Sequence, residues 1–490
     1  MSLPNSSIAD QLTEHLADVM ARPAFVDVID RAQEKSRNSG IDRIVTVSLH
    51  FDKLDPLAVL ERLAEPGKMR YHWEKPELDL AMSASGTVLE IQGNGTGRFK
   101  QISQKIHDIR ARHDAYTGLQ HSLAGLHFVG GFSFFDTETG GDWQNFGTAR
   151  FVVPEWMFVR DGNLGMLTIA QIVHHDGTSA DLSVRIEEQI RSLSDALAVY
   201  RHPSLDERRH DDILQFNITE GAENRAHWDN IVTTATDNIR SGVYDKIVLA
   251  RTVQAEATRA IADTRLLHHL RREYPNCYSF LLQFPDTASF VGSTPERLLS
   301  IQNGFINTEG LAGSIPRGQS ATDDAILEKR LLLSDKDQDE HRFVVDSIMS
   351  RLRIFTDDIY TASVPGIRKF TNVQHLYTPI SARLPEGTDP FDVIESLHPT
   401  PAVGGAPRQS ALDGIPELEG FRRGWYAGPI GWVNTNGRGE FSVAIRSGLI
   451  KDDRATFYAG CGIVEGSDPE NEWAETELKL IPMMTALRHA

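Results

Sequence analysis

The chain has 490 residues, with 50 Lys and Arg against 68 Asp and Glu, a formal net charge of −18. That balance disfavours nucleic acid or an anionic membrane as a partner held by long-range attraction, so an anionic small molecule would need local positive charge or a metal ion. Two cysteines, Cys277 and Cys461, are too few for a disulfide framework or a cysteine zinc site; with no leader-like start and no apolar run approaching about 18 residues, the expectation is a cytoplasmic protein.

Residues 1 to about 40 read as helix, with Ile8, Leu12, Leu16 and Val19 on one stripe, followed by a strand at Ile44–Leu49. Asn94-Gly95 and Asn436-Gly437 are turn dipeptides expected to mark hairpins. The polar stretch Arg201–Asp212 is the one candidate boundary, dividing residues 1–215 from a motif-dense 216–490. A faint echo crosses it. Tyr71-His-Trp-Glu-Lys-Pro76 leading to Gly86 is matched with Phe290-Val-Gly-Ser-Thr-Pro295 leading to Gly304, and Phe128–Phe132 with Ala149-Arg150 is matched with Ala427–Gly431 and Ala444–Arg446. Two pseudo-equivalent halves, or coincidence among common strand residues, would both produce it.

In the second half, Lys246 opens a strand that follows a helix running from near Trp228 to Gly242, and alternation puts it on one face with Val248 and Ala250. A lysine there either reaches water or is desolvated, and desolvation favours a neutral amine able to act as a base. Glu296 follows a proline turn between two apolar runs; burial would make it an acid able to protonate a leaving hydroxyl, whereas Arg297 would simply pair with it. Thr308–Ser314 reads as a glycine-rich turn whose N–H groups, with the Ser314 hydroxyl, could cradle a carboxylate. Glu340 opens a helix to Leu352, with Phe343, Val344, Ile348 and Leu352 inward; a first-turn glutamate is favoured by the dipole with or without a function. His375 lies in a strand-like run and suits a core as well as a site. Arg446, in the alternating run Phe441–Arg446, has the fork that binds a carboxylate or a strand-edge partner.

The end of the chain is the most informative stretch. A glycine-rich turn from Gly460 runs into a helix where Glu472, Glu475 and Lys479 are spaced i, i+3, i+7 and share a face. A solvated face with a Glu475/Lys479 pair would look the same in isolation. As a set, Lys246 and Glu296 offer a base and an acid. Glu340, Glu472 and Glu475 offer hard oxygens for magnesium, and Arg446, Lys479 and the 313–314 segment offer anion sites.

In content and order, these segments resemble the chorismate-utilising enzymes over about residues 220–485, and among them the isochorismate synthases. The resemblance implies a single large α/β fold of the α+β type, with antiparallel sheets packed between helices, pseudo-equivalent halves and the active site in the second. It implies Lys246 as the base that activates water, Glu296 as the acid, Mg2+ on Glu340 and Glu475 with Glu472 close by, and chorismate as substrate. Gly313, Ser314, His375, Tyr426, Arg446, Gly460 and Lys479 match pocket-lining positions. Aminodeoxychorismate synthases carry a lysine nucleophile in place of Ala312, anthranilate synthases lack the lysine at position 246, and pyruvate-eliminating members carry threonine in place of Ala402. Ala312 and Ala402 therefore imply release of isochorismate, and the long first half resembles menaquinone-type members. A salicylate synthase, a siderophore-pathway enzyme and a non-catalytic paralogue are the alternatives; the last is disfavoured because acid, base and metal ligands are all present.

Overall fold

A computed structural model describes residues 19–51, 53–137, 140–198, 213–220, 225–371 and 373–490. Among these residues the architecture is two large sheets, of 13 and 10 strands, flanked by helices. One aromatic and aliphatic core, including Trp73, Phe132, Trp425 and Trp432, packs between the layers. A second lies under the helices that cover the outer face of the larger sheet, where Leu266, Leu267 and Leu270 form the apolar stripe of helix Asp263–Glu273 and Leu480, Met483 and Leu487 that of Pro469–Arg488. No described helix is long and apolar enough to cross a membrane.

The larger sheet is built about a central antiparallel pair, Arg70–Lys75 with Tyr278–Gln283. Outward from it on either side come Leu80–Ser85 and Ser289–Thr294, then Trp156–Asp161 and Ser447–Lys451, then Leu164–Val173 and Arg454–Ile463, then Arg43–Phe51 and Lys246–Ala257. The smaller sheet repeats the pattern about His127–Phe132 and Pro429–Asn434. Pairing is antiparallel except between Arg43–Phe51 and His113–Thr117. The echo at Phe128–Phe132 thus coincides with related strands, while that at Tyr71 is one strand out of step, because Tyr71 corresponds to the Tyr278 strand and Phe290 to Leu80–Ser85.

The two-fold match explains where chemistry can reside. Strand Leu164–Val173 and helix Ser179–Ala198 have the same lengths and the same connection as Arg454–Ile463 and Pro469–Arg488, so Glu472, Glu475 and Lys479 fall opposite Leu182, Arg185 and Gln189. The first half therefore lacks the acidic face. Among the described residues, only the second half inserts Phe305–Pro316, helix Asp335–Leu352 and Val373–Arg383 at the edge of the smaller sheet.

Several local expectations are corrected. Asn94-Gly95 joins a strand to helix Arg98–Ala111 and makes no hairpin, whereas Asn436-Gly437 does. The first described helix is Pro23–Ser39; Ile8, Leu12 and Leu16 lie outside the described residues, as does all of Arg201–Asp212. The helix bearing Glu340 starts at Asp335 because the Ser334 hydroxyl accepts the Asp337 N–H, so Glu340 sits beyond the first turn, and Phe343 points outward while Val344, Ile348 and Leu352 are buried.

Candidate active site

Lys246 begins strand Lys246–Ala257, and its aliphatic stem lies over Gly462 of the neighbouring strand. Its Nζ donates to Glu340 Oε1 at 3.1 Å, and Lys246 is the more enclosed partner, its side chain 14% exposed against 39% for Glu340. The lysine is therefore ion-paired rather than stranded on an apolar face.

Glu296 occupies the turn between Ser289–Thr294 and Arg297–Gln302. Its N–H is held by Thr294 Oγ1, its carbonyl accepts the Val443 N–H at 3.0 Å, and its Oε1 accepts the Thr400 hydroxyl at 3.2 Å. The carboxyl borders a small cavity shared with Thr308, Glu309, Thr400 and Ala402. Some solvent reaches it, yet protein packs around it closely: burial pushes it up to about 7, and nearby Glu309 adds to this against the hydrogen bond from Thr400 and the charges of Arg446 and Lys246. It does not pair with Arg297, which is engaged by Glu440 and Tyr278.

Gly313 and Ser314 lie inside strand Phe305–Pro316, not in a turn; a bulge at Ala312/Ser314 interrupts the pairing with Val373–Arg383. Gly313 has φ +71, and a Cβ there would press on Asp337, so the bulge needs glycine. The bulge aims the Ser314 hydroxyl at His375 Nδ1, 2.7 Å away. Burial, then Arg446 and Lys479, hold the His375 imidazole down at about 3, so it is neutral.

Arg446 is displaced from the expected strand. Strand Gly439–Val443 ends three residues earlier, and Arg446 has φ +51, a left-handed backbone uncommon for a side-chain-bearing residue, fixed by its carbonyl accepting the Ser293 N–H at 3.0 Å. Its enclosed guanidinium has no hydrogen-bond or ion-pair partner among the described residues, while Tyr426, Glu475 and Glu296 all lie within electrostatic reach. Burial lowers the pKa of Arg446 and pushes Tyr426, stacked on Tyr458, up to about 12.

Gly460 and Gly462 belong to strand Arg454–Ile463, so the glycine-rich segment is sheet and the turn follows it. Asp468 then caps helix Pro469–Arg488 by accepting the N–H groups of Glu470 and Asn471. On the shared face Lys479 Nζ donates to the Gly460 carbonyl at 2.8 Å and pairs with Glu475 at 2.5 Å. Burial opposes ionisation of Glu475, but Lys479, Arg446 and Lys246 outweigh it and its pKa is lowered; burial raises that of Glu472, with a smaller push from Glu475.

Lys246, Glu296, His375, Arg446, Glu475 and Lys479 therefore face one region from five segments of chain, with Glu340 tied in through Lys246. Among the described residues no three His, Cys, Asp or Glu side chains are gathered closely enough to hold a metal ion. Sequence reasoning passed over Thr400, Glu309 and Gly462. The first stands two residues from Ala402, and the last is the second glycine of Gly460-Cys-Gly462, but the contacts that matter are made across the fold.

The family model described as chorismate binding enzyme matches residues 28–488. The chain is 35% identical over 478 residues to the salicylate biosynthesis isochorismate synthase of Pseudomonas aeruginosa, covering 95% of this chain and 94% of that one. It is likewise 35% identical over 453 residues to isochorismate synthase MenF of Bacillus subtilis, covering 91% and 93%. Among solved structures it matches MenF, the menaquinone-specific isochorismate synthase from Escherichia coli, with a TM-score of 0.74 and 25% identity over 94% of this chain and 100% of that one. Anthranilate synthase component I from Streptococcus pneumoniae shares the fold, with a TM-score of 0.67 and 24% identity over 83% of this chain and 92% of that one. With both halves and every site residue inside the matched span, the chain belongs to the chorismate-binding enzyme family.

Proposed function

We propose that the protein is an isochorismate synthase, a magnesium-dependent isomerase that interconverts chorismate and isochorismate, serving menaquinone biosynthesis in the cytoplasm. The observation that carries this reading is that an enclosed lysine, Lys246, and the guanidinium of Arg446 both lie within electrostatic reach of Glu296, an acid that burial pushes up to about 7. An acid and a base on one substrate suit an exchange of hydroxyl positions with no net proton consumed.

In this mechanism Lys246 first gives up the proton of its ion pair with Glu340 to solvent and then takes a proton from the water that adds at C2. The ring double bonds shift, and protonated Glu296 gives its proton to the C4 hydroxyl, which leaves as water. One water enters, one departs, and solvent restores both groups. Substrate and product carry the same functional groups, so the reaction runs both ways. Arg446 and Lys479 bind carboxylates of the substrate, and Thr400 orients the Glu296 carboxyl through its hydrogen bond. Ala402 borders the same cavity without a hydroxyl, which fits release of isochorismate before any loss of pyruvate.

The donor set fits magnesium. Glu340 and Glu475 come from different helices, each carboxylate balanced by a lysine, and Glu472 sits beside Glu475 with its pKa raised by burial. Magnesium takes one or two carboxylates and completes its shell with waters and ligand oxygens, so three clustered protein ligands are not required. An ion held by Glu340 and Glu475 would neutralise a substrate carboxylate.

Incubation of the purified protein with chorismate, ammonium and magnesium, followed by chromatography, tests the reading. Isochorismate is the expected product, without salicylate, anthranilate, aminodeoxychorismate or stoichiometric pyruvate; excess chelator abolishes turnover. Pyruvate release in step with chorismate loss would replace the reading with a salicylate synthase, and full turnover in chelator would remove the metal. Rescue of a deletion strain by menaquinone rather than salicylate assigns the pathway.

A further inference from the structure

Glu419 and Arg423 form a salt bridge in the interior, 1% and 2% exposed, at the end of helix Arg408–Glu419 and in the loop after it. Nothing in the proposed chemistry uses either residue. Their partners are main-chain groups of the strand that carries Lys246.

The outer edge of that strand is paired in two stretches. Gly404–Ala406 covers Asp245 to Val248, and Phe216–Glu220 covers Val253 to Ala257. In the gap between them, Glu419 Oε1 accepts the Ala250 N–H at 2.7 Å and Arg423 Nη2 donates to the Val248 carbonyl at 2.8 Å, so the ion pair supplies two of the bonds a neighbouring strand would give. The second arm of the same guanidinium, Nη1, donates to the Val403 carbonyl at 2.9 Å. Val403 and Gly404 N–H both bond to the Thr400 carbonyl, and the Thr400 hydroxyl holds Glu296. A continuous path therefore leads from the strand of the base, through one guanidinium, to the residue that orients the acid.

We propose that the Glu419–Arg423 pair is a positioning device that fixes the Lys246 strand to the Thr400 loop and thereby sets the separation of base and acid. The proposal rests on the roles given above to Lys246 and Glu296. A buried ion pair is weak evidence for stability, since apolar groups of equal volume often serve as well. A planar fork that must reach Val248 and Val403 at once while pairing with Glu419 is a geometric requirement that only arginine meets.

Arg423→Lys separates the two roles, because lysine keeps the charge opposite Glu419 but cannot span both carbonyls. The expected result is a folded protein with chorismate KM within about threefold of the parent and kcat lowered about 10- to 100-fold, the range a misplacement of about 1 Å produces. Faster hydrogen exchange at the amides of residues 402–404 is expected alongside. If Arg423→Lys does not fold, the neutral pair Glu419→Gln/Arg423→Met is measured in the same way, with the same expectation. Parental kcat, a loss matching only the unfolded fraction, or unchanged exchange in the loop overturns the proposal. A parent that never turns over chorismate sinks the functional reading instead, and the exchange experiment, which needs no substrate, still decides whether Arg423 holds the loop.

Discussion

Gly462→Ala separates placement of the base from integrity of the fold. A Cβ on residue 462 would stand 2.7 Å from Lys246 Cε and 3.2 Å from Nζ, and its three nearest atoms all belong to Lys246. Ordinary contact begins at 3.4 Å, so the Cε must retreat by at least about 0.7 Å. The flexible stem can do this without moving the sheet, and Gly462 has no left-handed backbone that alanine would strain. Replacing glycine in a strand gains about 0.5–1 kcal/mol, and weakening the partly exposed Lys246–Glu340 pair costs up to about 1 kcal/mol, so net stability should barely change. The amine, however, is displaced by most of an ångström, for which a loss of about 10- to 100-fold in kcat is expected. Gly460→Ala is the control, since its Cβ would meet the Leu249 carbonyl at 2.8 Å and the Ala250 Cβ at 3.1 Å and should lower Tm by forcing main chain apart. The assay pairs isochorismate formation with thermal melting. A folded Gly462→Ala enzyme with parental kcat would show that the position of Lys246 over this glycine is irrelevant to turnover.

Glu296 should give an alkaline limb to kcat/KM near its folded pKa of about 7, because the proton donor is lost above it. Its raised pKa means the native state keeps a proton that the unfolded chain releases between its ordinary 4.5 and about 7, so rising pH through that window destabilises the parent. Glu296→Gln should therefore be inactive yet more stable above pH 7, by about 3 kcal/mol at most and less where solvent screens the site, with the gain vanishing toward pH 4; equal melting of the two proteins at pH 8 contradicts the assignment. Lys246→Ala should abolish turnover while chorismate affinity in magnesium, read by calorimetry, survives; lost affinity with intact turnover would recast the lysine as an anchor. Ala402→Thr, which adds a hydroxyl beside Glu296 and Thr400, should introduce pyruvate release in a lactate dehydrogenase-coupled assay, and none appearing would deny position 402 a part in product choice.

The sequence by itself determined the elements whose signals are local. The i, i+3, i+7 spacing of Glu472, Glu475 and Lys479 defines one helical face wherever the helix is placed, and the alternation around Lys246 and the apolar runs flanking Glu296 define strands and the turn between them. Tertiary structure decided what depends on pairing between distant segments. Thr308–Ser314 looks like a turn because of its glycines, but pairing with Val373–Arg383 makes it a bulged strand. Arg446 leaves its strand and turns left-handed because Ser293, some 150 residues earlier, holds its carbonyl. Only folding brings Thr400 onto Glu296, lays Lys246 across Gly462 and closes the gap in its strand with Arg423, since each of these contacts joins residues whose neighbours in sequence carry no trace of the partner. Periodicity is a property of one segment and can be read from it; burial, and with it the shift of Glu296 toward neutrality, is a property of everything packed around the residue.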